Sequence, residues 1–251
     1  MKLNRTQLKL LAIICMLLDH VAYAFLSYQT LLYQIMRFFG RITAPVMCFM
    51  LVEGYMHTAN FSKYCLRMFI FAMLAYFPYI YLVYPGMMVN HEIGFVRDYN
   101  MLFTLLICLY LIFAIDKIGS FEASKGQYYL TVFLLILVAI LLSLPCDWFI
   151  FAPLFTANFY MNRNNEKRRD IITAVICTAL FVYMSYQMIL GGFPFNEAIV
   201  YNLYSLGAFM TIPLIRAYNH KNGRWDMKYF FYAYYPLHLL IIDIVKYLRM
   251  R

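Results

Sequence analysis

The chain has 251 residues, of which 64% are apolar and only 13% charged. A water-soluble domain carries about a quarter charged residues, so the composition excludes a soluble enzyme and points to one polytopic membrane domain over 1–251. The net charge of +9 does not mark a nucleic-acid binder, because the basic residues stand in short clusters between apolar runs, as membrane topology requires.

A membrane helix needs about 20 mostly apolar residues. The sequence predicts an all-α polytopic membrane protein with about nine transmembrane helices, near 8–28, 34–56, 64–84, 100–116, 128–144, 147–161, 170–190, 198–216 and 228–248. The sixth is short and contains Pro153, as a tilted, broken or re-entrant segment does when it is buried in protein. The first run has the outline of a signal peptide, with Lys2, Arg5 and Lys9 ahead of it and Ala22-Tyr23-Ala24 as a cleavage-like site. Asp19 and His20 interrupt it, which favours a retained helix.

With the N-terminus cytoplasmic, fifteen Lys and Arg fall on the inner side and four on the outer, Arg37 and Arg41 being left aside inside the second span. The expected location is the cytoplasmic (inner or plasma) membrane. The C-terminal Lys246, Arg249 and Arg251 are the exception, on the outer side. The six cysteines form no CxxC pair, which favours small buried side chains over a disulfide framework or a metal site. No HExxH or HxxxH zinc pattern and no GxSxG nucleophile motif occurs.

Ionisable residues inside the spans carry the functional signal, because a charge at mid-bilayer costs at least about 2.5–3.5 kcal/mol and needs a partner. His20 lies about 18 Å into the first span at 1.5 Å per residue. If spans one and two form a hairpin turning near Thr30, Arg41 is level with Asp19 and Gly40 with His20. That predicts a buried Asp19–Arg41 pair and a small residue leaving room beside the imidazole. Arg37 and Arg41 share one face at i and i+4; Asp19 serves one, and the other either completes a structural lock or awaits an acceptor anion.

Farther along, Glu53 and His57 with Lys63 and Arg67 read as a polar mouth for an anionic cytosolic ligand, or as ordinary interfacial anchors. Asn100 and Thr104 read as outer-side binding residues or, for Asn100, a helix cap. Asp147-Trp148 sits at the outer end of the sixth span. His238, two residues after Pro236, lies near mid-depth in the last span. Two mid-membrane histidines on distant spans suit general-base chemistry on an activated acyl donor; a proton-coupled carrier would use the same residues, although no internal repeat is evident.

The order of motifs is LLDH, then RxxGRxxxP (Arg37, Gly40, Arg41, Pro45), EGxxHT (Glu53 to Thr58), NxLFTL (Asn100 to Leu105), DW (Asp147, Trp148) and YPLH (Tyr235 to His238). Over nearly the whole chain this resembles the TraX family of integral-membrane proteins, named for a conjugation-associated pilin acetylase. The Lys9-x10-His20 spacing is similar to the signature of acyltransferase type 3 membrane enzymes. Tyr76-Phe77-Pro78-Tyr79 stands where an acidic residue before the proline is expected, and Phe149 where a glycine is expected after Asp147-Trp148.

The resemblance implies transfer of an acetyl group from acetyl-CoA, without a metal, to a pilin-like peptide N-terminus or another surface acceptor. His20 would be the general base, oriented by Asp19 or a bonded neighbour, and His238 a second base or oxyanion donor. Lys9, Lys63 and Arg67 would receive the coenzyme; Arg37, Arg41, Glu53, His57, Asn100, Thr104 and Asp147 would line the binding side. A glycan O-acetyltransferase, a carrier and a non-catalytic partner of a conjugation or secretion assembly are the alternatives.

Overall fold

A computed structural model describes residues 2–89, 96–119, 124–223 and 227–250; Arg224 and Arg251 of the charge count lie outside them. The described elements are helices, joined by two isolated bridges, Leu3 with Tyr218 and Tyr99 with Cys146.

Helix α1 (Arg5–Phe25) starts at a capping box, where the Asn4 side chain accepts from the Gln7 N–H and the Gln7 side chain accepts from the Asn4 N–H. The second run breaks into α2 (Leu31–Gly40) and α3 (Thr43–Met56). The break follows from Pro45, which lacks the N–H that would bond the Arg41 carbonyl in a continuous helix and is tolerated in the first turn of a new one. Likewise α4 (Phe61–Leu74) and α5 (Tyr76–Val83) meet at 43°, four residues before and at the approach to Pro78. The short α6 (Pro85–Val89) precedes α7 (Met101–Gly119) and α8 (Lys125–Ser143). After α9 (Phe151–Met161) and α10 (Glu166–Leu190), α11 (Phe195–Tyr201), a 3-10 helix (Leu203–Met210) and α12 (Thr211–Arg216) form one run; α13 (Lys228–Met250) closes the chain.

Among the described residues, six stretches are long and apolar enough to cross a membrane: α1, Leu31–Met56, α7, α8, α10 and Phe195–Arg216. The bent α4–α5 pair makes up to seven. The chain is therefore an all-α polytopic membrane protein. Two runs expected to span stand outside that set. The sixth is the 11-residue α9, about 16 Å long and too short to cross alone; nearly all its side chains are buried among other helices, the setting that permits such a segment. The last is α13, which carries Asp243, Lys246 and Arg249 in its second half.

Contacts define two ends of the bundle. At one, Arg5 N–H donates to the Lys221 carbonyl at 2.9 Å, Arg216 meets Asp170, and Tyr55 and Tyr160 both donate to Asp116. At the other, Tyr99 bonds the strand-like stretch at Pro145 and Asp147, and the Arg249 guanidinium lies over the Phe25 ring. The core between them is a large apolar cluster with α9 at its centre against α3, α7 and α10, and a smaller one of Ala22, Tyr33 and Tyr204.

Candidate functional site

The site is built where α1, α2 and α13 meet at mid-length. Asp19 on α1 receives Arg37 Nη1 at 2.7 Å and Arg41 Nη2 at 3.1 Å. Both arginines are thus on one carboxylate, correcting the expectation that one stays available for another anion. Two cations on one anion leave a positive excess, and aromatic faces meet it: Tyr204 lies 5.2 Å from the Arg37 guanidinium and 5.4 Å from that of Arg41, and Trp148 also lies 5.4 Å from Arg41. Trp148 takes a φ of 59°, a strained backbone for a bulky residue. Gly40 faces Asp19, where any β-carbon would collide with the carboxylate, and not His20 as its depth suggested.

His20 Nδ1 and His238 Nε2 lie 2.7 Å apart. The rings are within 17° of one plane, with centroids 5.0 Å apart, so they meet edge to edge through that bond. The bonding fixes the tautomers. His238 Nδ1 is 2.8 Å from the Tyr234 carbonyl, and a carbonyl only accepts, so Nδ1 carries the proton. In the neutral ring Nε2 then accepts, so His20 Nδ1 donates and its Nε2 holds the lone pair. His20 is therefore oriented by His238 and not by Asp19, whose oxygens are engaged by the arginines. Both His238 nitrogens are committed, which removes the expected oxyanion-donor role.

A cavity of about 620 Å³ lies beside this pair, within the usual range for small-molecule sites. His20, Asp19, Arg37, Arg41 and Asp147 line it; His238 does not. Its other polar walls are Tyr79, Tyr84, Arg97, Asp98 and Trp148, from the end of the bundle away from the N-terminus. Tyr79 and Tyr84 donate to Asp98 at 3.4 and 3.1 Å. Tyr79, Tyr84, Arg97 and Asp98 were missed as site residues in the sequence because Arg97 and Asp98 look like ordinary loop charge and the tyrosines like interfacial aromatics.

The remaining expected residues are elsewhere. Asn100 is fully buried, donating to the Ala72 carbonyl at 2.9 Å and accepting from Leu102 N–H. Thr104 donates to the Asp147 carbonyl at 2.5 Å. Both side chains are spent on backbone groups and neither lines the cavity; they join α7 to α4 and to the loop before α9.

Glu53 accepts from Tyr218 at 3.1 Å and lies near Arg5 and His220, while His57 Nδ1 bonds the Glu53 carbonyl at 2.8 Å. Glu53 thus ties the N-terminal end of the bundle together, while His57 caps the end of its own helix. Lys9 lies over Phe231, Arg67 over Tyr64, and Lys63 is exposed. None of these five lines the cavity, so the described cavity does not join the expected mouth to His20. Arg67 Nε is buried with no hydrogen-bond partner, as are the Nε atoms of Arg37 and Arg41. Among the described residues no cluster suits a metal ion.

A family model described as TraX protein matches residues 4–246. A protein of Dichelobacter nodosus named as a probable fimbrial assembly protein FimC of serogroup H1 is 31% identical over 246 residues, covering 96% of this chain and 94% of the relative. No solved structure matches.

Proposed function

The chain belongs to the TraX family, and on that premise we propose that it is a membrane-embedded acyltransferase that moves an acetyl group from acetyl-CoA to a pilin-like peptide N-terminus at the outer face of the cytoplasmic membrane. The observation that carries this reading is the hydrogen-bonded His20–His238 pair, whose His20 ring lines a cavity. The fimbrial name of the relative supports a pilus polypeptide as the acceptor. In this reading the N-terminus is cytoplasmic, the chain crosses nine times, with α13 as a crossing and α9, too short by itself, completing one inside the bundle together with residues 147–150, and the cavity faces outward.

The donor supplies the acetyl group as a thioester; Arg67, Lys63 and Lys9 would hold its phosphates, and a passage from that end into the cavity would have to open for the thioester to reach His20. His20 Nε2 takes the proton of the acceptor amine as the amine nitrogen bonds the acetyl carbon, and the carbon–sulfur bond breaks. His238 Nε2 accepts the Nδ1 proton of the charged His20 ring and spreads that charge over two imidazoles. The proton returns to the departing sulfur, leaving a thiol and an amide. Asp19, Arg37 and Arg41 hold α1 and α2 in register beside the base, and Asp147 faces the incoming amine from the opposite wall.

Mass spectrometry of surface proteins and polysaccharides from cells with and without this chain tests the proposal. Peptide N-termini blocked by acetyl only when the chain is present support it. Acetyl esters on polysaccharide would make the protein a glycan O-acetyltransferase, and no change in either would remove the transferase reading.

A further inference from the structure

The cavity wall holds two hydrogen-bond donors that no other described group uses. Asp19 engages Arg41 through Nη2 alone, at 3.1 Å to each carboxylate oxygen. Among the described residues, Arg41 Nη1 and the Trp148 indole N–H have no hydrogen-bond partner. Arg41 is 7% exposed and lines the cavity, and Trp148 is half-buried on the same cavity. Arg41 Nε is sealed in the interior, whereas Nη1 and the indole nitrogen keep access. Aromatic rings cover the flat faces of a guanidinium; its in-plane N–H groups still require acceptors.

Trp148 is presented by a backbone that costs energy. Its φ of 59° persists only where neighbours over-determine it, and such strain gathers at functional sites. The neighbours are in place. Asp147 N–H donates to the Tyr99 carbonyl at 2.8 Å, the Thr104 hydroxyl donates to the Asp147 carbonyl, and Ala152 N–H donates to the Trp148 carbonyl at 3.0 Å. The peptides on both sides of Trp148 are thereby held, with its ring 5.4 Å from the Arg41 guanidinium. A turn alone would be served by glycine or asparagine at this φ. Tryptophan adds a rigid ring with one donor at its edge.

We propose that Arg41 Nη1 and the Trp148 indole N–H form an oxyanion hole, a site for a single anionic oxygen on the cavity wall that His20 shares. This rests on the transferase reading. As the amine nitrogen bonds the thioester carbon, the carbonyl π pair moves onto the oxygen; it returns as the carbon–sulfur bond breaks. His238 cannot serve that oxygen, since its nitrogens are committed to Tyr234 and His20. Arg41 supplies the charge and Trp148 a second, directional bond, the kind of preorganised donor pair that lowers such a barrier. Asp147, one residue before Trp148, also lines the cavity and keeps a carboxylate without a hydrogen-bond donor among the described residues. It suits the nitrogen of the same intermediate, which is positive until its proton goes to His20 Nε2.

The test replaces Trp148 by 3-benzothienylalanine, which puts sulfur in place of the N–H and keeps the ring over Arg41, in the full chain in phospholipid vesicles. The binding probe is methylphosphonate, a tetrahedral oxyanion that carries a methyl group, followed by phosphorus NMR line broadening. Binding about tenfold tighter by wild type than by the variant is expected. Equal binding, or none by either protein, overturns the site whatever the turnover. With acetyl-CoA and a peptide with a free N-terminus, the variant is expected to lose about 10²–10³-fold in kcat at the KM values and unfolding temperature of wild type. Wild-type kcat in the variant overturns Trp148 as an oxyanion donor. A loss seen in KM or in the unfolding temperature instead marks a packing role and overturns it as well. Acetylation by neither protein removes the transferase reading, and the methylphosphonate comparison then decides the anion site by itself.

Discussion

Asp19 is held by two guanidiniums, so its removal leaves both buried without a counter-charge. Breaking a buried ion pair from one side costs about 3–5 kcal/mol. Asp19→Asn is therefore expected to lower the thermal unfolding temperature in detergent more than Arg37→Gln does, since the latter leaves Asp19 paired with Arg41. The Asp19–Arg41 pair was legible in the sequence, because a hairpin turning near Thr30 fixes which residues share a depth. Depth says nothing of the direction a side chain takes around its helix axis. Gly40 was for that reason placed opposite His20 when it lies against Asp19, and Arg37 was left unassigned when a break in the helix just beyond it brings both arginines to one carboxylate. Asn100 and Thr104 were legible as special positions but not as backbone ties, since their partners, Ala72 and Asp147, are remote in sequence.

At the scale of elements, the length of the sixth run announced a helix enclosed by protein, whereas 34–56 and 64–84 read as continuous spans although each breaks in the structure shortly before a proline, Pro45 and Pro78. The close approach of α2 to the 3-10 helix was not announced. It depends on Gly207, where a β-carbon would meet the backbone carbonyl of Phe38. A backbone group cannot swing aside as a flexible side chain can, so Gly207→Ala is expected to destabilise the protein by about 1–3 kcal/mol, read as a lower unfolding temperature. Gly126→Ala, at a position where a β-carbon meets nothing within 4 Å, is the control and is expected to have little effect. A 3-10 segment in the middle of an apolar run leaves no mark in composition, which is why 198–216 read as an uninterrupted helix.

For the whole molecule, basic residues gather at one end of the bundle and the cavity opens toward the other. If that basic end is cytoplasmic, a cysteine at Asn196 is outside and one at Lys167 inside; both positions are exposed, and the native cysteines are buried. A membrane-impermeant maleimide is expected to label Asn196→Cys in intact cells and Lys167→Cys only after permeabilisation; the opposite pattern would invert the protein. Composition and charge made the membrane class legible, and ordered motifs brought both histidines to notice. The cavity itself was not legible, because its walls come from loops and helices distributed over most of the chain. The central claim is that the hydrogen-bonded histidines act as one base. The most direct measurement is peptide acetylation in vesicles by wild type, His20→Ala and His238→Gln, with insertion checked for each. The account predicts a loss of about 10²–10⁴-fold for His20→Ala and a smaller loss for His238→Gln, whose amide oxygen still accepts from His20 but cannot take its proton. Undiminished acetylation by His20→Ala would contradict it.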